Sequence, residues 1–441
     1  MSRILSVGRR TFSALSIPNF RRYFFGQSTS LIGTWMQSVA QSWLVFTLTH
    51  SATAIGFVLA LQTLPVLVLG PYGGVIADRV DKRRLMIVLQ TLMGIQALAL
   101  GLLVVTHVVV FWEICVLAVV LGLNNCFENP ARQSFVREMV GGAEVRNAVS
   151  LNSTMVNAAR AVGPAIAGLL IATVGIGVCF LVNAVSFVAV VYSLVSMDTA
   201  ALRPSEPTVR ARGQLRQGFR YVAGEPRLGV PLLMMAIVGT LAHEFQVTLP
   251  VLAKQSFGGN ATTYGFLTAA MGVGAVAGGL VTATRGRTGL RPLTLASAAF
   301  GVAILCAAFS PVLAVAFVAL AAMGWTSVTF LATGNSTLQL QAAPSMRGRV
   351  MALWAVAFMG STPVGGPLIG WVVALAGARI GLGVGGLSCF LAAAIGLIAM
   401  ARLGMLPGRA GDRWRQPQDR GGVLAASESA ADSTEVPGIA V

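Results

Sequence analysis

The sequence predicts an all-α membrane protein whose twelve transmembrane helices form two pseudo-symmetric six-helix halves. Three observations predict it. First, 55% of the 441 residues are hydrophobic and only 10% charged; with 50 glycines added, too little polar surface remains to clothe soluble domains. Second, apolar stretches of about 20 residues, the length that crosses a bilayer as a helix, recur along the chain. Third, the 31 basic residues are distributed almost entirely to one side of the resulting topology. The low aromatic content (7%) and the lack of long polar–apolar alternation exclude an outer-membrane barrel.

The predicted spans are 23–47, 52–76, 85–106, 111–131, 148–173, 176–197, 228–250, 262–284, 289–309, 311–333, 350–375 and 379–401. Ahead of the first, Arg3, Arg9 and Arg10 have no apolar core before a cleavage site, so no removable signal peptide is expected. Ser13–Phe25, with its aromatic residues beside Arg21 and Arg22, is expected to lie at the membrane interface. Span one carries Gln27, Ser30, Thr34, Gln37 and Gln41 three and four residues apart, a stripe that reads as a water-facing wall or as tight polar helix packing. A basic cluster separates spans two and three, His107–Val110 spans three and four, and 132–147 spans four and five. The linker 198–227 holds six arginines and three prolines and divides a 1–197 bundle from a 228–402 bundle. In the second half, Ser310-Pro311 alone separates spans nine and ten. The tail 403–441, rich in Gly, Ser, Ala and charge, is expected to be disordered and cytoplasmic.

Only Lys254 and Arg379 fall in or beside the odd-numbered gaps, and Arg160 lies deep within a span; removing these three from 31 leaves 28 on the other side, counting Arg291 at the basic end of span nine. Both termini are therefore expected in the cytoplasm. The charge of +16 is thus a topological address rather than a nucleic-acid footprint. All five cysteines sit in apolar runs, so neither a disulfide framework nor a Cys metal site is expected. Two lysines against 29 arginines hint at a GC-rich bacterial genome and hence a bacterial inner membrane. An internal repeat supports the division into halves. Arg146 precedes Gly163-Pro164 by seventeen residues, and Arg349 precedes Gly366-Pro367 by the same seventeen.

The loop between spans two and three reads Gly73-Gly74-Val75-Ile76-Ala77-Asp78-Arg79-Val80-Asp81-Lys82-Arg83-Arg84. It resembles the signature loop of the major facilitator superfamily, although Asp81 stands where that pattern has a second glycine. The resemblance implies a conformational latch on the cytoplasmic face, built from Gly74, Asp78, Arg79, Arg83 and Arg132. Asn129-Pro130-Ala131-Arg132-Gln133, Asn147-Ala148, Leu151-Asn152-Ser153 and Ala158-Ala159-Arg160-Ala161-Val162-Gly163-Pro164 are similar to the enterobactin-exporter-type branch, which includes drug exporters. Arg21-Arg22, Gln27 and Gly33-Thr34-Trp35-Met36-Gln37 fit the same branch, and the resemblance spans residues 18–400. Gly163 and Pro164 resemble the fifth-span motif of antiporters, which favours antiport.

Charges inside spans are informative because each costs about 2.5–3.5 kcal/mol to insert. Arg160 shares a helical face with Ser150, Ser153 and Asn157, and either binds an anionic group or ties to Glu128. Glu128 lies one turn before Arg132, a spacing that is often merely structural. Glu244, beside His243 in span seven, is the leading proton carrier, with Glu128 second. His243-Glu244-Phe245-Gln246-Val247 opens like a zinc-protease helix but has Val where the second His must stand, so no metal is expected. The second half offers a less polar wall, including Met323, Trp325, Thr326, Thr329 and Phe358. One polar and one apolar wall suit an amphipathic solute bound by Thr34, Gln37, Gln41, Asn157, Arg160, Trp325 and Phe358.

Neither lysine sits in a phosphate loop, which removes ATP-driven transport, and no nucleophile–base constellation marks an enzyme. The reading is a monomeric, cofactor-free, proton-coupled exporter of an amphipathic small molecule such as a drug or siderophore, with no nucleic-acid partner. A lipid flippase on the same scaffold and a non-transporting receptor are the alternatives.

Overall fold

The computed structural model describes residues 12–203 and 214–405, and these are almost wholly helical, with no strand among the described residues. The amino-terminal arginines, the linker residues Arg210 and Arg212 and most of the tail lie outside the described residues, as do the side chains of Gly74 and Asp78.

After a 3-10 turn at Ser13–Ser16, α1 (Pro18–Thr49) opens with Pro18, whose fixed φ and missing N–H suit a helix start. It ends at His50 in the left-handed region (φ 53°). Ser51 accepts from the Ala54 amide to cap α2 (Ala52–Arg79). Asp81, the departure from the signature loop, accepts from the Arg84 amide at 2.9 Å and caps α3 (Lys82–Val105). Phe111–Thr173 is a single 63-residue helical run broken at Gly141 (φ 68°). Its limbs are α4 (Phe111–Gly142) and α5 (Glu144–Thr173), and α6 (Ile176–Val195) completes the first half. The second half comprises α7 (Gln214–Gly224), α8 (Pro226–Ala242), α9 (Phe245–Val251) with a π turn at Leu252–Ser256, and α10 (Ala261–Arg285). It continues through α11 (Leu290–Ala308), α12 (Leu313–Gln341), α13 (Arg347–Met359), α14 (Thr362–Ala376) and α15 (Ala378–Arg402).

Eleven stretches among the described residues are long and apolar enough to cross a membrane, where the sequence predicts twelve spans. The remaining predicted span corresponds to α1, which has ample length at 32 residues but is diluted by its own polar stripe. Other expectations are corrected. The gap 132–147 is helical rather than looped because Phe135, Val136, Met139 and Val140 recur at helical spacing and are buried. The interfacial reading of Ser13–Phe25 fails for Phe20 and Tyr23, each 1% exposed in a core cluster with Phe135, Val190 and Leu194. Predicted spans seven and eleven are not continuous helices. They break at His243-Glu244 and at Gly360-Ser361. The linker itself contains α7, whose Tyr221 hydroxyl accepts from the Ala343 amide at 3.3 Å.

The halves meet where glycines let backbones touch. Gly56 of α2 packs on Gly366 of α14, and a Cβ on Gly370 would lie 2.8 Å from Thr53 Cα. A Cβ on Gly265 of α10 would lie 2.6 Å from the Pro164 carbonyl of α5, and one on Gly272 2.6 Å from Ala161 Cα. Gly274 and Gly278, one turn apart, pack α10 on α12 at Ala321 and Trp325. The contacts at Gly56, Gly168, Gly265 and Gly370 fall in the part of each helix nearer the weakly basic loops at 50–51, 174–175, 257–260 and 377.

Candidate functional site

A cavity of about 200 Å³ opens inside the first half, lined from α1 by Thr34, Trp35, Gln37, Ser38, Gln41 and Ser42. Leu59 and Gln62 of α2, Met93 and Gln96 of α3, Leu121 of α4, and Asn183 and Phe187 of α6 complete that wall. Gln246 of α9 is the one lining residue from the second half. Gln37 donates to Gln96 Oε1 at 3.1 Å and accepts from Asn183 Nδ2 at 2.7 Å, so its amide is held in one orientation. Asn183 Oδ1 accepts in turn from Ser186 at 3.0 Å. The stripe of span one therefore divides. Thr34, Gln37 and Gln41 reach the cavity, whereas Gln27 and Ser30 are buried between helices. The partners Gln96 and Asn183, and the lining residue Gln62, are polar residues inside predicted spans, the signal by which the sequence marks them.

No acid lines the cavity, and a cation stands at its rim. The Arg160 guanidinium lies 4.7 Å above the ring of Trp35, itself a lining residue. The tie to Glu128 is not formed. Glu128 Oε1 instead holds Arg132 Nε at 3.0 Å and accepts from Gln90 at 3.4 Å. Among the described residues Arg160 has no acid and no hydrogen-bond acceptor as partner. An intramembrane cation left without a counter-ion is costly, and a bound anion removes that cost. Asn157, by contrast, donates back to the Ser153 carbonyl at 2.9 Å within α5 and does not line the cavity.

The second-half residues divide similarly. His243 Nε2 lies 3.0 Å from the Ser327 hydroxyl, and its ring packs against Phe245, Phe300 and Phe358. Phe358 stacks on Trp354, and Trp325 is half-exposed; neither Phe358 nor Trp325 lines the cavity. Glu244, 4% exposed, lies near Thr362 of α14, and its Oε1 has no partner among the described residues. A void of about 10 Å³ beside it, lined by Thr248, Ile304, Ile369 and Leu382, is at the lower limit for one water. The two helix breaks are neighbours. A Cβ on Gly239 would sit 3.0 Å from Ser361 Oγ, and one on Gly365 2.9 Å from Glu244 Oε1.

On the basic face, Arg83 donates to the last carbonyls of α6, Leu194 at 2.7 Å and Val195 at 2.8 Å, and so caps that helix. Arg79 is exposed and Arg132 is held by Glu128. The sequence reading missed the buried pair Lys82–Glu138 at 2.7 Å, which joins the start of α3 to the end of α4. Gly163 admits α1. A Cβ there would lie 2.7 Å from both the Ile32 carbonyl and Trp35 Cβ, so Gly163 sets the helix contact that carries the Arg160–Trp35 pair.

Two helical halves in close glycine contact, an amide-lined cavity and broken helices beside it are the architecture of a membrane transporter. The chain belongs to the transmembrane secretion effector family of the major facilitator superfamily, whose family model matches residues 9–420. It is similar to the staphyloferrin A transporter of Staphylococcus aureus, 25% identical over 340 residues that cover 75% of this chain and 84% of that one. It is also similar to the enterobactin exporter EntS of Escherichia coli O1:K1, 27% identical over 361 residues, 81% of this chain and 86% of that one. Among solved structures, a bacterial homologue of the human lysosomal transporter Spinster, inward-facing and occupied, matches with TM-score 0.69 and 14% identity over 89% of this chain and 98% of that one. A mutant POT peptide transporter in complex with alafosfalin matches with TM-score 0.70 and 13% identity over 90% of this chain and 99% of that one. These two likenesses speak to the fold.

Proposed function

We propose that this protein exports an anionic, amphipathic small molecule of the siderophore kind in exchange for protons. The observation that carries the reading is Arg160, a cation within a membrane-spanning helix that has no acid partner among the described residues and stands over an aromatic ring of an amide-lined cavity whose lining holds no acid. Guanidinium and carboxamide N–H groups solvate carboxylate or catecholate oxygens, and the Trp35, Met93 and Phe187 surfaces accept the apolar part. That two relatives are named for moving siderophores supports the same substrate class.

Glu244 is the proton carrier in this reading. Its buried Oε1 has no protein partner, whereas Glu128 already neutralises Arg132, which makes Glu128 a structural acid. The halves rock about the cavity, with both termini cytoplasmic and one chain as the working unit. The glycine contacts nearest the weakly basic loops correspond to a state closed outward and open to the cytoplasm.

The test is equilibrium binding of metal-free enterobactin, metal-free staphyloferrin A and the cationic drug ethidium to the purified chain. The expected result is saturable binding of at least one of the two anions and none of ethidium. Preference for the cation would overturn the assignment.

A further inference from the structure

The short helix α9 has an unusual setting. It is bounded before by the break at His243-Glu244 and after by the π turn Leu252–Ser256, so seven residues form a rigid piece with an irregular joint at each end. Although it belongs to the second half, it packs against α1 and α2 of the first as well as against α10 and α14. Gln246 projects from it into the cavity and is the only second-half residue among the described lining. Two residues earlier, at the break that bounds α9, Glu244 lies beside Thr362 of α14, and its Oε1 has no partner among the described residues.

We propose that Gln246 is the second half's contact with the transported solute and that α9 relays occupancy of the cavity to Glu244. This rests on the proposed function and adds a specificity and positioning residue to it. Gln246 shares with Gln41 and Gln62 the lining of a cavity without acids, so its carboxamide N–H is available to donate to the solute's anionic oxygens. Drawing Gln246 inward turns α9 about its two joints and shifts Glu244 relative to Thr362. The Glu244 carboxyl then releases its proton to solvent. The void beside Glu244 is otherwise lined by Thr248, apolar side chains and two glycines, none of which titrates. The titratable neighbour is His243, turned towards Ser327, with the charge of Arg160 beyond it. A short piece that touches the solute on one side and the acid on the other links two sites that otherwise lie in different halves.

The experiment adds metal-free enterobactin to detergent-solubilised full-length protein in weakly buffered medium with a pH dye, and measures bound solute in parallel. Wild type, Gln246→Leu and Gln62→Leu are compared, with monodispersity on gel filtration as the check of folding. Both variants should bind about tenfold more weakly, as expected for one lost hydrogen bond to an anion. Only Gln246→Leu should lose proton release per bound solute, while Gln62→Leu keeps the wild-type ratio. Equal ratios in the two variants, or wild-type binding by Gln246→Leu, would overturn the relay while leaving the exporter reading intact. Wild type that binds enterobactin and releases no proton would overturn proton coupling and the relay together. If Gln246→Leu aggregates, Gln246→Glu serves instead: its added negative charge should repel the anion, and unchanged enterobactin affinity would overturn the contact.

Discussion

Arg160 draws its meaning from what is missing around it. Arginine remains charged in proteins, so a guanidinium in a membrane-spanning helix needs either an internal acid or an external anion. Glu128, the acid nearest in character, is taken by Arg132 at 3.0 Å. Arg160→Ala is therefore predicted to weaken siderophore binding by about 10–100-fold, as for a lost charge-assisted hydrogen bond, without lowering thermal stability in detergent. Arg160→Lys should recover part of that affinity, because it keeps the charge and loses the planar fork that stacks on Trp35. The opposite behaviour is expected of Glu128→Gln. It strands the Arg132 cation, which is 14% exposed, and should destabilise the fold by about 3–5 kcal/mol, read as a lower melting temperature with unchanged proton stoichiometry. Glu244→Gln should do the reverse, keeping stability and siderophore affinity while removing the response of transport to a pH gradient.

At the scale of the helix, the contacts that matter are those at which a side chain has been dispensed with. Gly163→Ala places a methyl 2.7 Å from Ile32 and Trp35, and the α1–α5 contact must part. The predicted penalty is about 1–3 kcal/mol in denaturation experiments, with weaker siderophore binding because Trp35 moves from beneath Arg160. Most helices were legible in sequence because span length and charge asymmetry are set by the bilayer, a solvent with known thickness and polarity. The breaks were not equally legible. Gly360-Ser361 precedes Pro363, a punctuation that was available, but His243-Glu244 carries neither Gly nor Pro. That break is accompanied by partners on other helices, Ser327 and Thr362, which local sequence cannot reveal. The candidate site shows the same division. Arg160, Gln37 and Gln41 announced themselves as polar residues in apolar surroundings. Whether each was paired, as Gln37 is with Gln96 and Asn183, or left open, as Arg160 is, depends on tertiary neighbours.

For the molecule as a whole, export in exchange for protons requires one orientation and one direction of coupling. In a cysteine-free background, a single cysteine at the exposed His107 should react with a membrane-impermeant maleimide in intact cells. One at the exposed Thr288, on the basic side, should react only after the membrane is opened. The most direct test of the central claim is transport of metal-free enterobactin and staphyloferrin A by everted vesicles or proteoliposomes under an imposed pH gradient, with wild type and Arg160→Ala compared. The account predicts that wild type accumulates at least one of the two anions only while the gradient stands, and that Arg160→Ala accumulates neither. Gradient-independent movement by the wild type, or full activity of Arg160→Ala, would contradict it.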